Sequence, residues 1–326
     1  MGHGRGADQG EQIRLRPLER ALSESMRQLS AAGIDAARTE ALILAAFAAA
    51  RQSGAEITPG EIQARALSGA EQEPEGFAPL IAQRAQRIPL QHLTGTAPFR
   101  HLELSVGPGV FIPRPETEVL IDQLHVFLRE HPVPHPVIVD LASGSGALAL
   151  AAAQEVPQAE VHAVELSSQA LAWARRNVQR LQEASGPRVE LVSGDAAEAF
   201  PELLGQVDVV LSNPPYIPET MVPKDPEVAE HDPALALYGG SADGLRLPRA
   251  FAARAAELLR PGGLLVMEHA EVQAAALRCI LEQLGFTEVQ TVRDLTGRDR
   301  AVRGYAGEAA ARPASSSVNP AEEVSS

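Results

Sequence analysis

The 326-residue sequence predicts an α/β protein: a small all-helical domain, a β-hairpin linker, then a doubly wound, mostly parallel sheet of seven strands. Three patterns carry this expectation. Apolar residues recur at spacings of three and four through the first quarter of the chain, the period shortens to two near residue 96, and beyond Pro136 short apolar runs alternate with helical stretches.

The helical domain is expected over residues 17–94. Leu18, Leu22, Met26 and Leu29, then Leu42, Ile43 and Phe47, mark amphipathic helices. Turn signals separate them at Ala32-Gly33, Thr58-Pro59-Gly60 and Glu73-Pro74-Glu75-Gly76. The most apolar run, Ala41 to Ala50, falls short of the ~20 residues a membrane span needs, so it reads as a buried helix. In the linker, residues 95–113, Phe99, Leu102, Leu104 and Val106 nearly alternate, Gly107-Pro108-Gly109 supplies a turn and Val110-Phe111-Ile112 follows.

From 114 to 305, strands are expected at 137–141, 160–164, 189–192, 207–211 and 264–268, with two antiparallel strands near Val289 and Ala301 closing the sheet. Helices are expected from Ala147 and over 169–182, 247–259 and 272–284. Trp173 and Cys279 lie on helical periods and read as core. Residues 1–16 and 306–326, biased towards Gly, Gln, Ala, Ser, Pro and charge, read as disordered tails.

Composition narrows the function. Lys and Arg number 28 against 42 Asp and Glu, a net charge of −14, which argues against a surface made to neutralise nucleic-acid phosphates. The single cysteine allows no intrachain disulfide framework and fits a reducing cytoplasm. Nine histidines without H-x-H or H-E-x-x-H spacing give no reason to expect a metal. Met1-Gly2 lacks the Ser or Thr at position six of a myristoylation signal, having Gly6, so no membrane anchor is expected.

Two places carry chemistry. The strand ending in Asp140 runs through Leu141 into Ala142-Ser143-Gly144-Ser145-Gly146, where small residues let a ligand approach the backbone. Glu165 ends the next strand, where a carboxylate can accept hydrogen bonds from both hydroxyls of a ribose. Asp195 and Ala196 follow the third strand, near the place of a base. The loop alone also fits a dinucleotide, since Ala149 stands where a third glycine would fall.

The fourth strand decides between them. It runs into Asn213-Pro214-Pro215-Tyr216, where two prolines fix φ and remove two backbone donors. An amide or amino nitrogen is a poor nucleophile because its lone pair is delocalised. If the Asn213 side-chain oxygen and the Pro214 carbonyl each accept one N–H, the NH2 is held with its nitrogen facing an incoming methyl. Tyr216 can stack on the planar group and exclude water. An S-adenosylmethionine sulfonium supplies that methyl without a metal.

With Phe111-Ile112-Pro113-Arg114-Pro115-Glu116-Thr117-Glu118 upstream and Leu295 to Arg300 downstream, residues 18–305 resemble the HemK-like protein glutamine N5-methyltransferases, nearest to those acting on peptide chain release factors. The resemblance implies a Rossmann-like methyltransferase sheet and S-adenosyl-L-methionine as cofactor, held by Asp140, residues 142–146, Glu165, Asp195, Ala196 and Asn213. It implies methylation of the glutamine of the Gly-Gly-Gln motif in class 1 release factors, with the helical domain helping to hold them. Asn213, Pro214 and Tyr216 would be catalytic; Pro215, Arg114, Glu116 and Thr117 would complete the substrate site, the latter three as a lid. A cytoplasmic monomer without direct nucleic-acid contact is expected. Ala142 departs from the family's usual glycine and Ala196 from a bulkier residue. The Arg298-Asp299-Arg300 turn suits a salt-bridged corner equally well. The alternatives are an N6-adenine DNA methyltransferase, disfavoured by the charge, and a noncatalytic S-adenosylmethionine-binding adaptor, disfavoured by the intact Asn213, Pro214 and Tyr216.

Overall fold

A computed structural model describes residues 17–69, 72–183 and 188–308; the expected tails at 1–16 and 306–326 lie outside them except for 306–308, where Ala306 ends the last strand instead. The chain divides into two compact units between Thr94 and Gly95.

The first unit contains α1 (Pro17–Ala31), α2 (Ala37–Ser53), α3 (Pro59–Ser68), α4 (Phe77–Ala85) and α5 (Leu90–Thr94). Leu18, Leu22 and Leu29 of α1 meet Ala41, Leu44, Ala45 and Ala48 of α2 in one buried cluster that also takes in Ile62, Phe77 and Ile81. The alanine stretch is thus core. Thr58 caps α3 through a reciprocal box with Glu61, worth about 1 kcal/mol. Arg84, buried on α4, forms an ion pair with Glu40 of α2.

The second unit opens with β1 (Thr96–Phe99) and β2 (Leu102–Ser105), followed by α6 (Val119–Glu130), β3 (Val137–Leu141), α7 (Ala147–Glu155), β4 (Glu160–Glu165), α8 (Ser168–Glu183), β5 (Val189–Ser193) and β6 (Val207–Ser212). Then come α9 (Pro226–His231), α10 (Ala234–Leu237), α11 (Arg246–Leu258), β7 (Leu259–Glu268), α12 (Ala274–Gln283), β8 (Phe286–Arg293) and β9 (Asp299–Ala306). Seven strands form one sheet in the order β5-β4-β3-β6-β7-β9-β8, parallel except for β9, which runs antiparallel to both its neighbours. This is the expected doubly wound α/β fold.

Both faces of the sheet are covered, which is why its strands read as continuous apolar runs. Ile138, Val209, Leu211, Leu264 and Val266 point into the cluster formed with α6 and α7, while Val139, Leu141, Val210, Leu265 and Met267 point into the one formed with α11 and α12. The strand order reverses between β3 and β6, so the loops beyond their carboxyl ends flank a natural ligand crevice.

Three expectations are corrected. The hairpin turns at Arg100-His101, not at 107–109, and Val110 to Ile112 form no strand. Arg100 sits in the left-handed region at φ 54, with its backbone N–H on Glu118 and its guanidinium on Glu155 and Asp122. No local pattern announces such a turn in an arginine. The hairpin also packs into the second unit, since Phe99, Leu102 and Leu104 belong to the α6/α7 core cluster. Cys279 is exposed, because the buried stripe of α12 runs through Ala274, Leu277, Ile280 and Leu281 and leaves it to one side.

Candidate active site

A cavity of about 500 Å³, within the range of small-molecule sites, opens at the carboxyl ends of β3, β4, β5 and β6. Ala142, Ser143, Gly144 and Ser145 line it from the loop after β3, Glu165 and Leu166 from the end of β4, and Asp195 and Ala196 from the end of β5. Gly144 has φ 58, and nothing lies within 4 Å of where its Cβ would be, so the loop leaves open space above its backbone.

Glu165 is 8 % exposed, and both its oxygens are engaged by backbone: Gly144 N–H donates to Oε2 and Ser167 N–H to Oε1, each at 2.7 Å. Each oxygen keeps one lone-pair direction for an outside donor, as a ribose would provide. Burial raises its pKa, opposed by those N–H donors. Leu166 beside it is 56 % exposed, an apolar surface in the cavity wall. Open loop, paired oxygens of the Glu165 carboxylate and apolar shelf together fit a nucleoside.

Two residues assigned to the cofactor do not line the cavity. Asp140 is wholly buried beneath the loop; its Oδ2 accepts from Ser143 Oγ at 2.7 Å and Ala149 N–H at 3.2 Å, so it holds the loop's shape. Burial pushes its pKa up to about 7, against those two donors. Gly146, at φ 87, begins α7, and a Cβ there would press on Leu150 at 3.2 Å. Its glycine serves the turn and the packing.

The other wall carries Asn213, Pro215 and Tyr216 after β6, with Arg114, Glu116 and Thr117 from the proline-rich segment. Pro214 is buried and does not line the cavity. Asn213 Nδ2 donates to Thr117 Oγ1 at 3.3 Å, and Thr117 Oγ1 donates onward to Glu268 Oε2 at 2.6 Å. With Glu268 ionised it can only accept, so the chain runs one way and Asn213 presents its oxygen to the cavity; no protein donor reaches that oxygen among the described residues. Tyr216 donates its hydroxyl to the other oxygen of Glu268 at 3.1 Å, and burial raises its pKa, so the phenol stays neutral.

Several contributors escaped the sequence. Glu268, 1 % exposed at the end of β7, looked like an ordinary strand terminus. Gln273 donates to the carbonyls of Tyr216 at 2.8 Å and Asp243 at 2.9 Å, pinning the acceptor loop. Asp232, whose side chain is fully buried, pairs with Arg114 at 2.8 Å and so ties the proline-rich segment to the stretch holding α9 and α10. That stretch adds Val228, Leu235 and Leu237 to the cavity wall, and α11 adds Leu247 and Phe251. Phe251 packs in the same cluster as Ala196 and supplies bulk near that small residue. The corner at 294–300 is salt-bridged, with Arg300 on Asp294 and Arg293 on Asp299, both at 3.1 Å.

A doubly wound sheet with this loop, this carboxylate and this asparagine defines the class of S-adenosylmethionine-dependent methyltransferases. A family model described as the methyltransferase small domain matches residues 107–226. A Bifidobacterium longum release factor glutamine methyltransferase is 42 % identical over 288 residues, covering 86 % of this chain and 96 % of that protein. One from Streptomyces coelicolor is 45 % identical over 283 residues, 86 % and 94 % of the two chains. A Streptomyces pristinaespiralis 4-amino-L-phenylalanine/4-methylamino-L-phenylalanine methyltransferase is 40 % identical over 274 residues, 82 % and 88 %. The chain belongs to the release factor glutamine methyltransferase family. Among the described residues, no helix is long and apolar enough to cross a membrane.

Proposed function

We propose that this chain methylates the side-chain amide nitrogen of the glutamine in the Gly-Gly-Gln motif of peptide chain release factors. The observation that carries the reading is the one-way hydrogen-bond chain that leaves the Asn213 oxygen as an acceptor on the cavity wall. When bound, S-adenosylmethionine supplies an electrophilic methyl on its sulfonium. Ala142 to Ser145, Glu165, Asp195 and Ala196 would hold it, with Leu166 against its base.

Asn213 Oδ1 accepts one N–H of the glutamine amide, turning the nitrogen towards the cofactor side, while Pro214, buried behind the cavity wall, keeps the loop backbone stiff. An acceptor fixed in advance stabilises the positive charge that develops on that nitrogen. The ring of Tyr216, held by its hydroxyl on Glu268, walls off water and limits the approach direction. Arg114, Glu116 and Thr117 close the same side. The helical unit would contribute a docking surface for the release factor.

The test is intact-mass and peptide mapping of release factors after incubation with the protein and cofactor, with 4-amino-L-phenylalanine as the competing acceptor. One added methyl at the Gly-Gly-Gln glutamine supports the reading. Methylation of the aromatic amine alone replaces it with a small-molecule activity.

A further inference from the structure

We propose that Glu268 is a positioning residue whose negative charge fixes the direction of the chain from Asn213 through Thr117, and with it which end of the Asn213 amide faces the acceptor. The inference deepens the reading above and rests on Asn213 orienting the target nitrogen. The geometry is specific. One carboxylate oxygen takes the Thr117 hydroxyl at 2.6 Å, the other takes the Tyr216 hydroxyl at 3.1 Å, and Thr117 takes the Asn213 amide at 3.3 Å. A single buried group therefore polarises the two hydrogen-bonding side chains of the acceptor loop, Asn213 and Tyr216.

An ionised Glu268 can only accept, so both hydroxyls must donate to it and the Asn213 NH2 must donate to Thr117. A protonated Glu268 has one O–H to give. Donating it to Thr117 frees the Thr117 hydroxyl to donate towards Asn213, which rewards the flipped amide with its NH2 in the cavity. Two donors then face each other where the target N–H should bind, and orientation of the acceptor is lost. The charge of one carboxyl thus becomes the orientation of an amide two hydrogen bonds away.

The surroundings leave this group open to titration near neutrality. Burial pushes the Glu268 pKa up to about 7, resisted by the Thr117 bond and by the positive charge of Arg300 on β9, while Glu116 adds to the rise. Tyr216 stays neutral, and burial lowers the pKa of the adjacent His269, keeping it uncharged. Arg300 is itself anchored on Asp294, so its charge is fixed in place.

The test reads Asn213 without any acceptor. In 15N-labelled full-length protein, the Asn213 side-chain NH2 signals, assigned by their loss in Asn213→Ala, are followed from about pH 5 to about pH 9. They should shift with a midpoint near 7. The shift should vanish in Glu268→Gln, where position 268 no longer ionises, and in Thr117→Val, which cuts the relay but keeps the buried carboxyl. Thr117→Ser should restore it. In single turnover, kcat should rise through the same midpoint in the unmodified protein, and Glu268→Gln should lower it about tenfold or more with little change in cofactor Kd. Asn213 signals that ignore pH, or that titrate equally in Thr117→Val, overturn the proposal. If the signals titrate as expected but no release factor is methylated, the substrate reading fails and the positioning role stands.

Discussion

Replacing Glu165 by Ala should weaken cofactor binding by about 2–3 kcal/mol, because it removes the charged acceptor for two ribose hydroxyls. That corresponds to a Kd about 30- to 150-fold higher. The value is held at or below the low end of two full charged hydrogen bonds, about 3 kcal/mol, because each oxygen is already shared with a backbone N–H, from Gly144 and from Ser167, at 2.7 Å. Glu165→Gln sharpens the test. Glutamine has the same size, but its NH2 must face one of those two N–H groups, donor against donor. It should therefore fall close to Ala, not to wild type. Titration calorimetry with S-adenosylhomocysteine gives both constants, and a thermal scan of each variant shows that it is folded. An unchanged Kd in folded Glu165→Ala would refute the assignment; near wild-type binding in Glu165→Gln would refute the backbone clamp. The buried carboxyl's raised pKa adds a direction: affinity should fall as pH drops and Glu165 takes up a proton.

Three further outcomes follow from the same geometry. Asn213→Ala should lower the single-turnover methylation rate by roughly 10²–10³ with little change in cofactor affinity, as for loss of one preorganised hydrogen-bonding group; turnover near wild type would remove its role. Ala142 adopts φ 67, a left-handed conformation costing an alanine about 1–2 kcal/mol, so Ala142→Gly should stabilise the fold by about 0.5–1 kcal/mol after glycine's greater unfolded-state entropy is counted, measured by urea unfolding. Asp140 has its pKa raised from 3.8 to about 7, so its contribution is fully favourable below its unfolded value and is lost as pH rises through about 7. The thermal midpoint should accordingly decline over that window, and decline less in Asp140→Asn; equal pH profiles would show that the buried acid does not govern it.

The cofactor half of the site was legible because it is local. Asp140 to Gly146 is a strand, a turn and a helix start in one stretch of chain, and Glu165 ends the next strand, so period and small residues place them before any packing is known. What misled was depth. A carboxylate at a strand end reads the same whether it lines the cavity, as Glu165 does, or props the loop from below, as Asp140 does. The hairpin was misplaced for a related reason: Gly107-Pro108-Gly109 is a strong turn signal, whereas the actual turn is held by Glu118, Asp122 and Glu155, distant in sequence from Arg100. Residues 217–245 carry no long period, so α9, α10 and Asp232 left no trace in it.

The acceptor half was assembled from segments the sequence keeps far apart, and this bears on specificity. An amide NH2 and an aromatic NH2 are alike to a fixed acceptor such as the Asn213 oxygen: each is planar, with a delocalised lone pair and two N–H groups to be accepted. The relatives named for a release factor glutamine and for 4-amino-L-phenylalanine match this chain at 42 % and 40 % identity, so overall similarity barely separates the two acceptors. Choice between them has to come from what surrounds the nitrogen. Here that wall mixes apolar Val228, Leu235, Leu237 and Leu247 with the charged Glu116 and Arg246, while the nearby Arg114 is already committed to Asp232. A free amino acid must find partners for its own ammonium and carboxylate, and burying either group unpaired costs several kcal/mol. A glutamine within a glycine-flanked peptide loop brings neither charge. The choice between the two acceptors therefore turns on whether Glu116 and Arg246, the charged groups on that wall, meet the ends of an amino acid.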